Sequence, residues 1–210
     1  FELKNSKLKL PLLQGTFNKS PYRISINISD MFGSKREVNG DCKISSLNLN
    51  LINDSSIQLL LPPQTAKIFN DLDFVNGNIN LSAKVRNNNV NAFTILDNVS
   101  FIYKPKNLKV AISSGNMFLK NDLLHLNKIN ALLGKMPVFI DGKVANIQKN
   151  PNANLYINAK PNQEFFDQFF NNNSLYPIKI KGDAIYSAKI NGTLENLNTK
   201  SILNIEENSS

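Results

Sequence analysis

Apolar and polar residues alternate along most of this chain, and Gly, Asn, Asp or Pro breaks the alternation at short intervals. A period of two is the signature of a half-buried β-strand. The stretch Leu108 to Lys160 shows it best, and YRISINIS is a clean single case: Tyr22, Ile24, Ile26 and Ile28 share one side, Arg23, Ser25, Asn27 and Ser29 the other. The same rule predicts strands carrying Leu47, Leu49 and Leu51, then Ile57, Leu59 and Leu61, the last stopped by Pro62-Pro63. It continues with Ile79, Leu81, Ala83 and Val85, with Val90 to Leu96, Val99 to Tyr103, Leu108 to Ile112 and Asn116 to Leu119, and with Leu124 and Leu126. Val138, Ile140 and Val144 follow, then Leu155, Ile157 and Ala159, and further strands run around Ile178, Ile185, Ile190 and Ile202 to Ile205. Gln14-Gly15, Met31 to Gly40, Asn87 to Asn89, Leu132 to Pro137 and Asn150-Pro151-Asn152 read as turns or loops.

Two stretches break the strand rhythm. Gln64 to Leu72 fits helical spacing loosely through Ala66, Ile68, Phe69 and Leu72. Asn162 to Phe170 fits it better: Phe165, Phe166, Phe169 and Phe170 recur at helical spacing, and Asn162 is placed to cap, with Glu164 in the first turn. An internal echo accompanies them. Asn76 to Val85 aligns with Lys181 to Ile190, and each copy follows a Phe-bearing helical stretch. The shared order predicts a duplication, with units of about 1–110 and 111–210 inside one continuous β segment. The chain opens in mid-pattern at Phe1-Glu2-Leu3, so it reads as a segment of a longer protein.

Composition changes this picture little. The 210 residues and 41% hydrophobic content suit a folded chain. A net charge of +8 raises nucleic acid as a partner. The lysines, however, are scattered singly (Lys109, Lys120, Lys128, Lys135, Lys143, Lys149), and no aromatic–basic RNA-binding motif interleaves them. The reading is a generally basic surface with no nucleic-acid partner; anionic lipid headgroups are a second class it would attract. No apolar run approaches the length of a transmembrane helix.

Candidate chemistry is sparse. Cys42 is the one cysteine and sits in a strand, where it reads as a small apolar residue. His125 is the one histidine; alternation turns it away from Leu124 and Leu126, and no second imidazole or cysteine pair would complete a metal site. Asp141 and Asp183 lie beside glycines and read as turn residues. No nucleophile, phosphate or dinucleotide motif is present, so the sequence predicts no enzyme, no catalytic residue, no metal and no cofactor.

What remains is the apolar face. In a sandwich or closed barrel it would fill a packed core, giving a structural or interaction module of an envelope or surface assembly. In an open sheet that curls along its length it would line a groove. Such a groove in water needs a ligand, and an acyl chain gains about 0.8 kcal/mol per buried CH₂.

Certain motifs add to this. Ser114-Gly115-Asn116-Met117-Phe118, Leu124-His125-Leu126, Gly134-Lys135-Met136-Pro137 and Val138-Phe139-Ile140-Asp141-Gly142-Lys143-Val144 follow one another in order. Asn150-Pro151-Asn152-Ala153-Asn154-Leu155-Tyr156-Ile157 comes next, and later Ala188-Lys189-Ile190-Asn191-Gly192-Thr193-Leu194-Glu195-Asn196-Leu197. The series resembles the AsmA-like superfamily of bacterial envelope proteins, the group containing TamB and YhdP. It departs from that pattern at Asn196-Leu197, where a proline is common.

The resemblance implies a mainly β protein: an elongated, curled sheet, taco-shaped in section, of many short strands with two short helices. It implies a periplasmic location, with an inner-membrane anchor in a segment this chain does not include. It also implies transport of phospholipid between the inner and outer membranes in support of outer-membrane biogenesis, alongside an outer-membrane barrel partner. The residues it assigns to the lipid-binding groove are Ile24, Ile26, Ile28, Leu47, Leu49, Leu51, Ile57, Leu59, Ile79, Leu81, Val85, Val110, Ile112, Leu124, Leu126, Val138, Ile140, Val144, Leu155 and Ile157. The two helical stretches are free to plug this groove, cap it or pack outside it.

Overall fold

Each alternating segment must pair its backbone groups with a neighbour, and short turns between segments make the next strand the nearest partner. The computed structural model shows that arrangement. It describes residues 2–54, 69–147, 149–167, 179, 183–193 and 195–206. Twelve antiparallel strands form one sheet in strict sequence order, and the sheet does not close on itself. The strands are β1 (Glu2–Lys4), β2 (Lys7–Phe17), β3 (Ser20–Ser29), β4 (Glu37–Asn48), β5 (Leu72–Arg86) and β6 (Asn89–Tyr103). They continue as β7 (Leu108–Lys120), β8 (Leu123–Leu133), β9 (Met136–Ala145), β10 (Asn152–Ala159), β11 (Asp183–Thr193) and β12 (Asn196–Glu206). Among the described residues helix is scant: α1 (Gln163–Phe166), the helical pair Phe69 and Asn70, and 3-10 turns at Leu49–Asn53 and Lys104–Lys106.

The frequent asparagines have a structural use. Asn5-Ser6, Asn18-Lys19 and Asn87-Asn88 each hold two consecutive residues at positive φ, which is how a two-residue type I′ turn matches the twist of its strands. Asn107, Asn121 and Asn146 take the same left-handed conformation at other strand ends.

Several strands are longer than the alternation predicts. Val90 to Leu96 and Val99 to Tyr103 are one strand, β6, and Leu108 to Ile112 joins Asn116 to Leu119 in β7. Gln14-Gly15 lies inside β2 and is no turn, and the loop before β4 ends at Arg36. The reason is β-bulges. Ser46, Phe74, Asn98 and Lys128 sit inside strands with φ near +50°. The register slips beside each of them, so one extra residue is accommodated and the strand continues, bent. Polar groups hold these bends. Ser46 N–H donates to Asn80 Oδ1 at 2.9 Å, and the buried Ser20 hydroxyl donates to Ser46 C=O at 2.9 Å. Lys128 N–H donates to Asp141 Oδ2 at 3.1 Å. Asp141 thus lies within β9 and fastens a bulge, correcting its reading as a turn residue.

Leu49 and Leu51 do not extend the strand of Leu47. Asn48 Oδ1 accepts from Asn50 N–H at 2.9 Å and turns the chain into the 3-10 segment. Asn53 fixes the far side, with Nδ2 donating to Val75 C=O and Oδ1 accepting from Val75 N–H. The second helical stretch is α1, where Asn162 accepts from Phe165 N–H at 2.9 Å as its cap. Of the first, Gln64 to Leu72, the residues up to Ile68 lie outside the described ones; Phe69 and Asn70 are helical as expected, and Leu72 already opens β5. The strand read around Ile57 and Leu59 lies outside them as well.

Candidate functional site

Directly opposed residues in an antiparallel pair share a face, so the register traces the apolar face across the sheet. Ile24 opposes Cys42, and Cys42 opposes Ala83. From there the row runs through Ala92, Leu119, Leu124 and Val144 to Ala153. A second row runs Ile44, Leu81, Thr94, Met117, Leu126, Gly142, Leu155, Ile190. Ile26, Ile28, Leu47, Ile79, Val85, Val110, Ile112, Val138, Ile140 and Ile157 join the same face. So sixteen of the twenty expected groove positions lie together. Leu49 and Leu51 stand in the 3-10 segment, and Ile57 and Leu59 are outside the described residues. No charged residue occupies this face in β4 to β11; Lys43, Lys84, Lys120, Lys143 and Lys189 all fall on the other.

Burial divides the face along the strands. The two long connections, β4 to β5 and β10 to β11, leave the sheet at the end that also carries the β8–β9 hairpin. Leu49 packs there on Val75, Leu96, Val99 and Ile129, with Ile52 beside it. Phe166 is buried, and Phe165 packs on Met136, Val138 and Ala159. Lys135 and Glu164 tie α1 to the hairpin through an exposed ion pair at 3.0 Å. The 3-10 segment Leu49–Asn53 and α1 therefore cover the apolar face at one end of the trough. Toward the β7–β8 hairpin, Leu81, Ala83, Val85, Leu119, Leu124 and Val144 are only half-buried, with no described helix over them.

The opposite face carries the polar rows. His125 opposes Phe118 and Lys143, with the His125 and Phe118 ring centroids 6.2 Å apart. It shares that face with Asp141, away from Leu124 and Leu126. Among the described residues no group of three or more His, Cys, Asp or Glu could hold a metal ion, and no helix is long and apolar enough to cross a membrane.

Leu96, Val99, Ile129, Ala131 and Met136 are buried on this face but are not among the expected groove positions, although Leu96 and Val99 bound strands that the alternation predicts. A signal for some of them was present. At a bulge the apolar step lengthens from two residues to three, as in Ile44-Ser45-Ser46-Leu47, Leu96-Asp97-Asn98-Val99 and Leu126-Asn127-Lys128-Ile129. A polar pair closed by Ser, Asn or Lys between two aliphatics marks the spot.

Cys42 gives a direct check on the open half. Burial pushes its thiol above the ordinary value, which lowers the thiolate fraction at neutral pH. We expect maleimide labelling at pH 7.5, followed by intact-protein mass, to be several-fold slower than for free cysteine under the same conditions. Equal rates would mean that Cys42 does not face the trough.

No protein-family model matches this chain, and no curated protein and no solved structure matches it either.

Proposed function

We propose that this protein carries phospholipid acyl chains along the uncharged face of its open sheet, as a non-enzymatic segment of a lipid path between the inner and outer membranes. The observation that carries the reading is the pair of uncharged, mainly apolar rows, Ile24 to Ala153 and Ile44 to Ile190, on a face covered at one end and half-exposed at the other. An apolar surface of that extent left in water calls for an occupant. A flexible hydrocarbon suits a face with no polar anchor, because the gain grows with each buried CH₂ and needs no fixed hydrogen-bond partner. The motif resemblance to AsmA-like envelope proteins points the same way. It supplies the rest of the proposal: a periplasmic position, an inner-membrane anchor outside this chain, an outer-membrane barrel partner and a role in outer-membrane biogenesis.

The test is chemical. The chain is purified from a bacterial expression host without detergent, and native mass spectrometry reads its bound mass. We expect adducts with phospholipid masses that return when the delipidated protein meets phospholipid vesicles. A delipidated chain that stays monomeric and takes up neither phospholipid nor a fluorescent acyl probe sinks the reading. It would favour a second one, a structural β module, which the packing of Leu49, Val75, Leu96, Val99 and Ile129 supports.

A further inference from the structure

The face opposite the trough is polar, yet it exposes aromatic rings at mid-sheet. Phe93 opposes Phe118 across β6 and β7, and each is 39% exposed. On the far side of Phe118 stands the half-buried His125, and from there the row passes to Lys143 and Asn154. One row nearer the covered end, Asn127 and the half-buried Asp141 flank the Lys128 bulge. The bulge bends β8 here, and an open hollow of about 450 Å³ lies among these side chains. That is within the ~300–1,000 Å³ usual for small-ligand sites. Leu126 and Gly142 border it too; both belong to the trough row, so they bring backbone to its floor.

We propose that this hollow binds a neutral pyranose ring of a glycan. A pyranose has an apolar C–H face and a rim of hydroxyls that both donate and accept. The electron-rich face of the Phe118 ring suits the first. The polar side chains suit the second. Asn127 and Asn154 each carry a donor and an acceptor, and Lys143 donates. With His125, these side chains form no hydrogen bond or ion pair among the described residues. Asp141 uses Oδ2 to hold Lys128 N–H at 3.1 Å, and its other oxygen remains to accept from a hydroxyl. The same carboxylate selects against anions. A phosphate brought beside it is repelled at short range, which disfavours lipid headgroups and nucleic-acid backbone despite the basic surface. Phe93 extends the aromatic row on one side, and Tyr156 opposes Asp141 on the other, so neighbouring sugars of the chain also meet aromatic rings. The hollow lies within β7 to β10 on the face away from the trough. The inference therefore rests neither on what occupies the trough nor on the outer strands of the sheet.

The test reads backbone amide shifts of the full, isotope-labelled chain by NMR. The probes are maltotriose, cellotriose and the N-acetylglucosamine trimer, with inorganic phosphate and a thymidine oligonucleotide as the anionic counterparts. At least one saccharide should shift the amides of Phe118, His125, Asn127 and Gly142 saturably, with a Kd on the order of millimolar for so open a site. Neither anion should shift them. Phe118→Ala should weaken saccharide binding at least tenfold and leave distant amides in place, while Phe118→Tyr, which keeps the ring, should stay within threefold of the parent chain. Leu132→Ala, on the same face outside the hollow and 43% exposed, should bind as the parent does. The proposal is overturned if no saccharide shifts these amides, if either anion shifts them instead, or if Phe118→Ala binds as tightly as the parent.

Discussion

Gly77→Ala is expected to destabilise the protein by about 3 kcal/mol or more, in the range reserved for named steric faults. Gly77 lies in β5 at φ +112°, a conformation that side chains resist. A Cβ there would stand 2.7 Å from Val99 Cα and press on the Asn98 carbonyl. Both obstacles are backbone of β6 at the Asn98 bulge, so no rotamer change relieves them. The site lies beside Val75 and Val99, in the packed half of the trough, so any shift spreads into the Leu49 cluster. Gly134→Ala is the matched control. Gly134 also has positive φ (+61°), but nothing lies within 4 Å of its Cβ direction. It should lose only the backbone preference, about 1 kcal/mol. Urea midpoints with their slopes would compare the two variants, and a Gly77→Ala midpoint no lower than that of Gly134→Ala would refute the close-packed bulge.

That contrast also explains what the sequence could disclose. Ile24, Ile26 and Ile28, or Leu124 and Leu126, occupy stretches whose own strand takes in no extra residue (the slip opposite Ile24 and Ile26 lies in β2), and alternation alone assigns them to one side. Asn162 announces its cap because capping is local chemistry, decided within three residues. Errors fall where two positive-φ uses look alike. Asn87-Asn88 ends a strand, whereas Asn98 only bends one, and both are asparagines among alternating neighbours. The difference is tertiary. At Asn98, both neighbouring strands run past the residue and keep their pairing on either side of it. At Asn87-Asn88, β5 and β6 are the two arms of one hairpin, and the chain must reverse. Leu49 is the same kind of error. Its i+2 spacing from Leu47 suits a strand, but the Asn48 side chain captures a nearby amide and sends Leu49 over the face it was expected to extend. The chemical part of the site is less legible for a plainer reason. An apolar face has the same residue types whether it is a core or a binding trough, and only the cover over it tells them apart.

Leu124→Glu and Val138→Glu should therefore part company, although both residues are strand aliphatics of the same face. Val138 is 5% exposed beneath Phe165, beside Met136 and Ala159. A carboxylate there would lose its water without gaining a partner, a penalty of several kcal/mol set against a total stability of about 5–15 kcal/mol. We expect Val138→Glu to be largely unfolded, or to lose tens of degrees in Tm. Leu124 lies in the half-exposed region, opposite Leu119 and Val144. A carboxylate there keeps contact with solvent, so the fold should survive with a Tm loss of a few degrees. The same charge would sit where an acyl chain is proposed to lie, and phospholipid carried through purification should fall at least fivefold. Thermal melts and lipid extraction on the same preparations read both effects. If Leu124→Glu unfolds the chain as Val138→Glu does, the open half is a closed core and the trough does not exist. If it folds and keeps its full lipid load, the lipid does not lie on this face.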